Sequence, residues 1–489
     1  MGKEKYTSMY ENRLAGVLLH ITSLPGPGEK GQLGADAERF MRWLSDGGFA
    51  VWQILPVGPT DTHGSPYSLL SAFAGNPEFI HHEGSWHAYE EIEKLCSQCT
   101  SVHSLTEALL LRLDTSSENE GWKEAYHQFI DESKYWLDDY AFYDVIKRET
   151  GQPWYLWPET LKHRHPLELR RYALEKKRAL ETVKLLQFLF HIQWKSLKSY
   201  ASKNNLRIYG DMPIFCSYDS ADVWSHPEYF MLDSQGHMLE LTGVPPDAFS
   251  DTGQLWGGPQ YNWDQLEKDG YNWWVKRIQM ALDYYDLLRI DHFRGLESYW
   301  VVPAGSENAV NGHWQKGPGM KLFKAVERAL GQVPFIAEDL GVITPEVDQL
   351  RKDLGMPGMR VLQFDFDDDP CNPHAPQNHT KDSVVYTGTH DNDTLMGWWS
   401  GLSEDQRQRV LHGVPHPELG MPWSVIDCAL ESVGFLSIIP MQDLLGLGSE
   451  SRMNTPGQPY GNWRWRFQWQ EVAEGLEQKT KNLVLQAGR

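Results

Sequence analysis

Acidic residues recur in this chain at the ends of short apolar runs, often beside a charged or imidazole neighbour. Arg289, Asp291 and His292 stand together in LLRIDHFRG. Glu338 and Asp339 stand in FIAEDLG, His390 and Asp391 in YTGTHDND, and Asp211 in IYGDMPIF. Two carboxyl groups flanking a scissile bond, one as nucleophile and one as acid/base about 5 Å away, perform retaining glycoside chemistry. Positions 289 and 291 are two apart, so on a strand Arg289 and Asp291 face the same side, where a guanidinium can hold a carboxylate ionised and oriented. Glu338, from another strand, offers the second carboxyl. Asp391 beside His390 is a third, able to bind sugar hydroxyls and favour an oxocarbenium-like transition state.

These residues need a frame that brings separate strand ends together. Eight short apolar runs end in Gly, Pro, Asp or Asn: 16–26, 51–59, 207–215, 285–295, 333–341, 359–366, 383–393 and 435–443. Near-continuous apolar character marks parallel strands covered on both faces. Helical patterns separate them. The segment TPEVDQLRKDLG (344–355) has a Thr at the N-cap position, Pro at the first helical position and Gly at the stop. Strand–helix alternation gives βαβ units, and eight strands close a (β/α)8 barrel of the α/β class, whose chemistry sits at the C-terminal strand ends. An open doubly wound sheet is the alternative, but polar residues end strands around the whole set rather than at one switch point. The chain therefore reads as a single catalytic barrel over 1–489. Residues 80–206 form an inserted, mostly helical subdomain, and the Trp-, Gly-, Pro- and Asp-rich residues 216–272 an inserted active-site loop region. A carboxylate at a strand end is as often a helix cap or loop anchor, and the same set suits a divalent metal. Pattern alone thus reaches a barrel enzyme with a carboxylate cluster.

The formal net charge of −21 argues against nucleic-acid or anionic-membrane partners, which need basic patches. The 21 Trp and 21 Tyr are mostly core residues, with some free to stack on sugar rings. Five Cys at sparse spacing imply no disulfide framework, and the lone Cys96-x-x-Cys99 pair is a weak zinc signal. There is no signal-peptide h-region and no apolar run of membrane length, so a cytoplasmic location is expected.

Longer motifs sharpen the reading. SPYSLLSAFAGNP (65–77), GDMPIFCSYDSADVW (210–224), GVPPDAFSDTGQLWGGPQYNW (243–263), LRIDHFRGLESYWVVPAG (288–305), IAEDLG (336–341), YTGTHDNDT (386–394) and RMNTPGQPYGNWRWR (452–466) follow in order. Together they resemble the 4-α-glucanotransferases, also called amylomaltases or disproportionating enzymes, of glycoside hydrolase family 77. The resemblance implies a double displacement that transfers α-1,4-glucan segments among maltodextrins, amylose and a glucose acceptor, with no cofactor and no metal. It implies Asp291 as nucleophile, Glu338 as acid/base and Asp391 as transition-state stabiliser. Arg289 and His390 would orient the reacting groups. Tyr67 would lie under the sugar at the cleavage point, and Asp211, His292, Asp339 and Asn454 would complete the site. A lid carrying Asp251, Gln254 and Trp256 would cover the acceptor side and exclude water. Burial and the like charges of Asp291 and Asp391 are then expected to raise the pKa of Glu338. Ala248 stands where the lid usually carries an aromatic, with Phe249 retained. Leu69 and Leu70 stand where a smaller or more polar pair is expected, and Cys216-Ser217-Tyr218 replaces a more aliphatic segment. The segment 95–120 matches none of these motifs. An α-glucan hydrolase, a non-catalytic glucan-binding barrel and a metal-dependent hydrolase are the competing readings.

Overall fold

The computed structural model describes residues 10–489 except 11, 84–88, 114–120, 247–249, 367, 368 and 459. Ala248 and Phe249, and part of the 95–120 segment, lie outside the described residues. Twelve strands are described, numbered β1 to β12 along the chain. Eight of them, β1 (Leu14–Leu18), β2 (Val51–Gln53), β3 (Arg207–Met212), β6 (Leu287–Ile290), β9 (Phe335–Ala337), β10 (Gly358–Val361), β11 (Ser383–Tyr386) and β12 (Leu436–Pro440), coincide with the eight apolar runs. They pair in parallel in the order β10-β11-β12-β1-β2-β3-β6-β9. The Ala337 N–H donates to the Pro357 carbonyl at 2.9 Å and brings β9 back to β10, which closes the (β/α)8 barrel.

Burial follows from the pleat. Leu18, Val51, Tyr209, Leu287, Ile336, Met359, Val384 and Ile438, drawn from all eight strands, pack into one interior cluster. Their strand neighbours Val17, Trp52, Ile208, Leu288, Ala337, Val385 and Ile439 face outward into the larger cluster beneath the helices. Side chains alternate across a strand, so a barrel buried on both faces needs apolar residues at every position. Gly210, just before Asp211, packs against the Tyr285 ring so closely that a Cβ there would lie 2.2 Å from it.

Past the Tyr67 loop, the described chain between Glu90 and Lys203 is mostly helical. Its last helix, Lys177–Lys203, lies on the barrel, where Trp194 Nε1 donates to the Tyr284 carbonyl at 3.0 Å. Two buried glutamines on it serve the chain that follows the Tyr67 loop. Gln187 accepts from the Gly75 N–H at 2.8 Å and donates to the Gly75 carbonyl at 2.9 Å, and Gln193 treats His81 the same way. Residues 216–272, expected as a loop region, also carry two strands. Here β4 (Glu240–Val244) and β5 (Gln254–Pro259) join β7 (Ser298–Pro303) and β8 (His313–Lys316) in an antiparallel sheet ordered β5-β4-β7-β8. The helix opened by Thr344 runs Pro345–Asp353 as expected, though the Thr344 side chain makes no capping bond to its first turn.

Candidate active site

Three barrel strands deliver the first set of charged groups. Asp211 lies opposite Arg289 in the β3–β6 register, and both are buried. The Arg289 guanidinium spans two carboxylates: NH1 lies 2.5 Å from Asp211 Oδ2 and NH2 lies 2.7 Å from Asp291 Oδ1. The Tyr67 hydroxyl donates to the same Asp211 oxygen at 2.7 Å. Burial and the anionic Asp211 keep the Tyr67 phenol far above its usual pKa, so it remains a donor. Asp211 and Asp291 hold Arg289 charged against the penalty of burial. The guanidinium also fills the space between the two carboxylates that a shared cation would need.

Glu338 follows β9, and both its carboxyl oxygens accept main-chain bonds. Oε2 takes the His292 N–H at 2.8 Å and Oε1 the Leu340 N–H at 2.9 Å. His292 reaches this position with φ of 49°, a left-handed conformation that side chains rarely adopt. Burial lifts the Glu338 pKa to about 7; Arg289 and the Leu340 N–H oppose the lift, and the charges of Asp291 and Asp339 add to it. The like charges that matter are thus Asp291 and Asp339, where Asp391 was expected beside Asp291. Burial lowers His292 to about 4, which leaves a neutral imidazole whose buried Nε2 has no hydrogen-bond partner. Trp256 meets that ring edge-on at 4.8 Å, is itself 41% exposed, and donates through Nε1 to Gln254 Oε1 at 3.2 Å.

The second set hangs on the loop after β11. His390 Nε2 lies 3.4 Å from Asp391 Oδ2, and Asn454 Nδ2 donates to Asp391 Oδ1 at 2.5 Å. Arg452 ties the two segments together by donating to the main-chain carbonyls of Asp391 at 2.5 Å and Asn454 at 2.7 Å. Tyr67 joins the two sets, because its ring stacks on His390 at 5.2 Å while its hydroxyl holds Asp211. Trp463 packs against both Tyr67 and His390. Beneath the loop, buried Asp443 accepts from Thr387 Oγ1 and from the Leu395 N–H, both at 2.7 Å, and burial raises its pKa to about 7.

One expected member stands apart. Asp339 turns from the cleft and anchors β10: it accepts from the Met359 N–H at 2.6 Å, and Arg360 and Arg351 approach it at 3.3 and 3.4 Å. Arg452, Trp463 and Asp443 were not singled out from sequence. The first two lie within the RMNTPGQPYGNWRWR motif, which is the signal that could have found them. Asp443 ends the last apolar run much as Asp391 ends the one before it.

A closed parallel barrel with an Arg-held carboxylate, a carboxyl raised by burial and aromatic rings around the mouth defines a carbohydrate-active barrel enzyme. The family model described as 4-alpha-glucanotransferase matches residues 19–472. A 4-alpha-glucanotransferase of Thermus thermophilus is 44% identical over 93% of this chain and 95% of its own length. The chloroplastic/amyloplastic 4-alpha-glucanotransferase of Solanum tuberosum is 43% identical over 97% of this chain and 85% of its own. Among solved structures, an amylomaltase from Streptococcus agalactiae in complex with acarbose superposes with a TM-score of 0.87 at 34% identity, covering 98% of this chain and 100% of that one. This chain belongs to the 4-alpha-glucanotransferase family, the glycosyltransferase enzymes of the amylomaltase type. No helix among the described residues is long and apolar enough to cross a membrane.

Proposed function

We propose that the protein moves α-1,4-glucan segments between maltodextrins by a retaining double displacement on Asp291, Glu338 and Asp391. One observation carries this reading: neighbouring carboxyl groups stand in opposite environments. Asp291 is paired with the Arg289 guanidinium at 2.7 Å, which orients it as the nucleophile, while burial brings Glu338 to about 7, where it can both give and take a proton. In the first step an Asp291 oxygen attacks the anomeric carbon as the glycosidic C–O bond breaks, and the Glu338 proton goes to the departing 4-oxygen. In the second step Glu338 takes the proton of the acceptor 4-OH of glucose or another maltodextrin as that oxygen displaces Asp291. Asp391, held by Asn454 and His390, contributes to the stabilisation of the positively charged sugar. Tyr67 supports the ring, and Asp211 acts through Arg289. His292, Gln254 and Trp256 line the acceptor side, where Trp256 keeps water from the intermediate. Asp339 acts as a scaffold for β10 in this account. Maltodextrins, amylose and glucose are the partners it implies, in the cytoplasm.

Incubation with maltotriose and chromatography of the products tests it. A ladder of longer maltodextrins plus glucose, absent in Asp291→Asn, is expected. Glucose and maltose alone would mean a hydrolase, and no turnover would favour a glucan-binding barrel.

A further inference from the structure

A second polar cluster lies away from the barrel mouth, on the crossover between β11 and β12. The imidazole of His416 precedes the short turn Pro417–Leu419, while Asp427 and Glu431 are four apart on the helix Trp423–Glu431 and so share one face. One ligand atom from each of these three residues lies within 4.8 Å of the others. Asp427 is only 5% exposed, and its Oδ2 has no hydrogen-bond partner. A buried carboxylate oxygen with nothing to bond to is costly, and a cation removes that cost. The His416 ring is already oriented for this. Its Nδ1 lies 3.1 Å from Glu418 Oε1, which turns Nε2 towards Glu431 Oε1 at 3.6 Å. A carboxylate behind a ligating imidazole fixes its tautomer and raises its basicity. Two ligands on a tetrahedral zinc stand roughly 3.3 Å apart, given bonds of about 2.0–2.1 Å; the His416–Glu431 pair at 3.6 Å is near that spacing, and both half-exposed side chains can close on the buried Asp427 from within 4.8 Å.

We propose that His416, Asp427 and Glu431 bind a divalent transition ion such as zinc, which pins the 413–422 connection to the helix Trp423–Glu431 and plays no part in catalysis. The donor set of one imidazole and two carboxylates suits zinc, with water completing the tetrahedron. The test is equilibrium dialysis of the EDTA-stripped full chain against zinc, with bound metal and thermal midpoint both measured. The wild type should hold one zinc more per chain than His416→Ala or Glu431→Gln, and only the wild type should gain thermal stability from it. Glu418→Gln should weaken binding by about 10- to 100-fold without abolishing it. Asp427→Asn should lose the ion while being at least as stable as the wild type without zinc, because it removes a buried carboxylate whose Oδ2 has no hydrogen-bond partner and which Glu431 repels. Maltotriose conversion should be the same with and without chelator. Equal zinc stoichiometry in the wild type, His416→Ala and Glu431→Gln would mean adventitious binding at other histidines and would overturn the proposal. A wild type that binds zinc without stabilisation would overturn the pinning role. The exposed Glu431→Gln keeps the test valid should His416→Ala fail to fold.

Discussion

At the residue scale the site works by contrast between two carboxyl groups. The ordinary Glu pKa is 4.5 and burial takes Glu338 to about 7, so its neutral, proton-donating form persists to neutral pH and is lost as pH rises through about 7. Transfer should therefore fall on a basic limb near that value. Glu338→Gln should lower turnover by about 10²–10⁴-fold and, with a donor whose leaving group needs no proton, remove the limb. A limb that persists unchanged in Glu338→Gln would assign the titration elsewhere. The linked stability effect has a definite sign. The folded state holds this proton more tightly than the unfolded chain, so Glu338 contributes stability below pH 4.5 that is lost as pH rises towards 7. The thermal midpoint of Glu338→Gln relative to the wild type should therefore rise from pH 5 to pH 8. Arg289→Lys is the complementary test. A single ammonium cannot reach Asp211 and Asp291 at once with the geometry of the guanidinium fork. Turnover should fall on the order of 10²-fold, as losses of positioning at a reacting centre do, with little change in fold.

At the scale of elements, the sequence is most readable where burial is two-sided. All eight barrel strands appear as apolar runs because both their faces are covered, and Asp211, Asp291, Glu338 and Asp391 are conspicuous because polar residues end those runs. The sheet of β4, β5, β7 and β8 is harder to read, although β7 carries the buried run SYWVVP. Every residue of β8 is exposed, and β5 is solvent-facing at Trp256, so no apolar run sets those two strands apart from loop. The direction of a side chain at a strand end is equally hidden. Asp339 follows Glu338 directly, yet it points to β10, because successive residues take opposite sides and Gly358 leaves room for its carboxylate. The exposed sheet makes its own prediction. Trp256→Ala removes the ring against His292, so hydrolysis should rise relative to transfer on maltotriose; an unchanged ratio would take the acceptor side away from this strand. The helix Lys177–Lys203 makes another. Gln187→Leu strands the buried N–H and carbonyl of Gly75, which costs about 1–3 kcal/mol for each group. The loss should appear in urea unfolding, and a raised KM should accompany it because the Tyr67 loop leads into Gly75.

At the scale of the whole molecule, the barrel is sealed where the described chain begins and ends. Strand β1 pairs with β12 over five positions, and the helix Trp423–Glu431 ends beside that seam with carbonyls that have no partner within the helix. Two guanidiniums satisfy them. Arg13 NH2 donates to the carbonyls of Leu430, Glu431 and Ser432 at 2.9, 3.0 and 2.6 Å. Arg489 donates to Leu430 at 2.5 Å and Ser432 at 2.7 Å, and reaches Leu14 of β1 at 2.7 Å. A cation at a helix C-terminus is favourable, and here two share the same acceptors. Each can therefore cover in part for the other. Arg13→Ala or Arg489→Ala alone should cost about 1–2 kcal/mol, since the Leu430 and Ser432 carbonyls keep one donor. The double variant leaves both carbonyls bare and should lose more than the sum of the singles. Residues that share partners are not additive, whereas separate surface contacts are. Urea midpoints of the four proteins decide it. Strict additivity would mean that the two arginines act independently, without covering for each other at the Leu430 and Ser432 carbonyls.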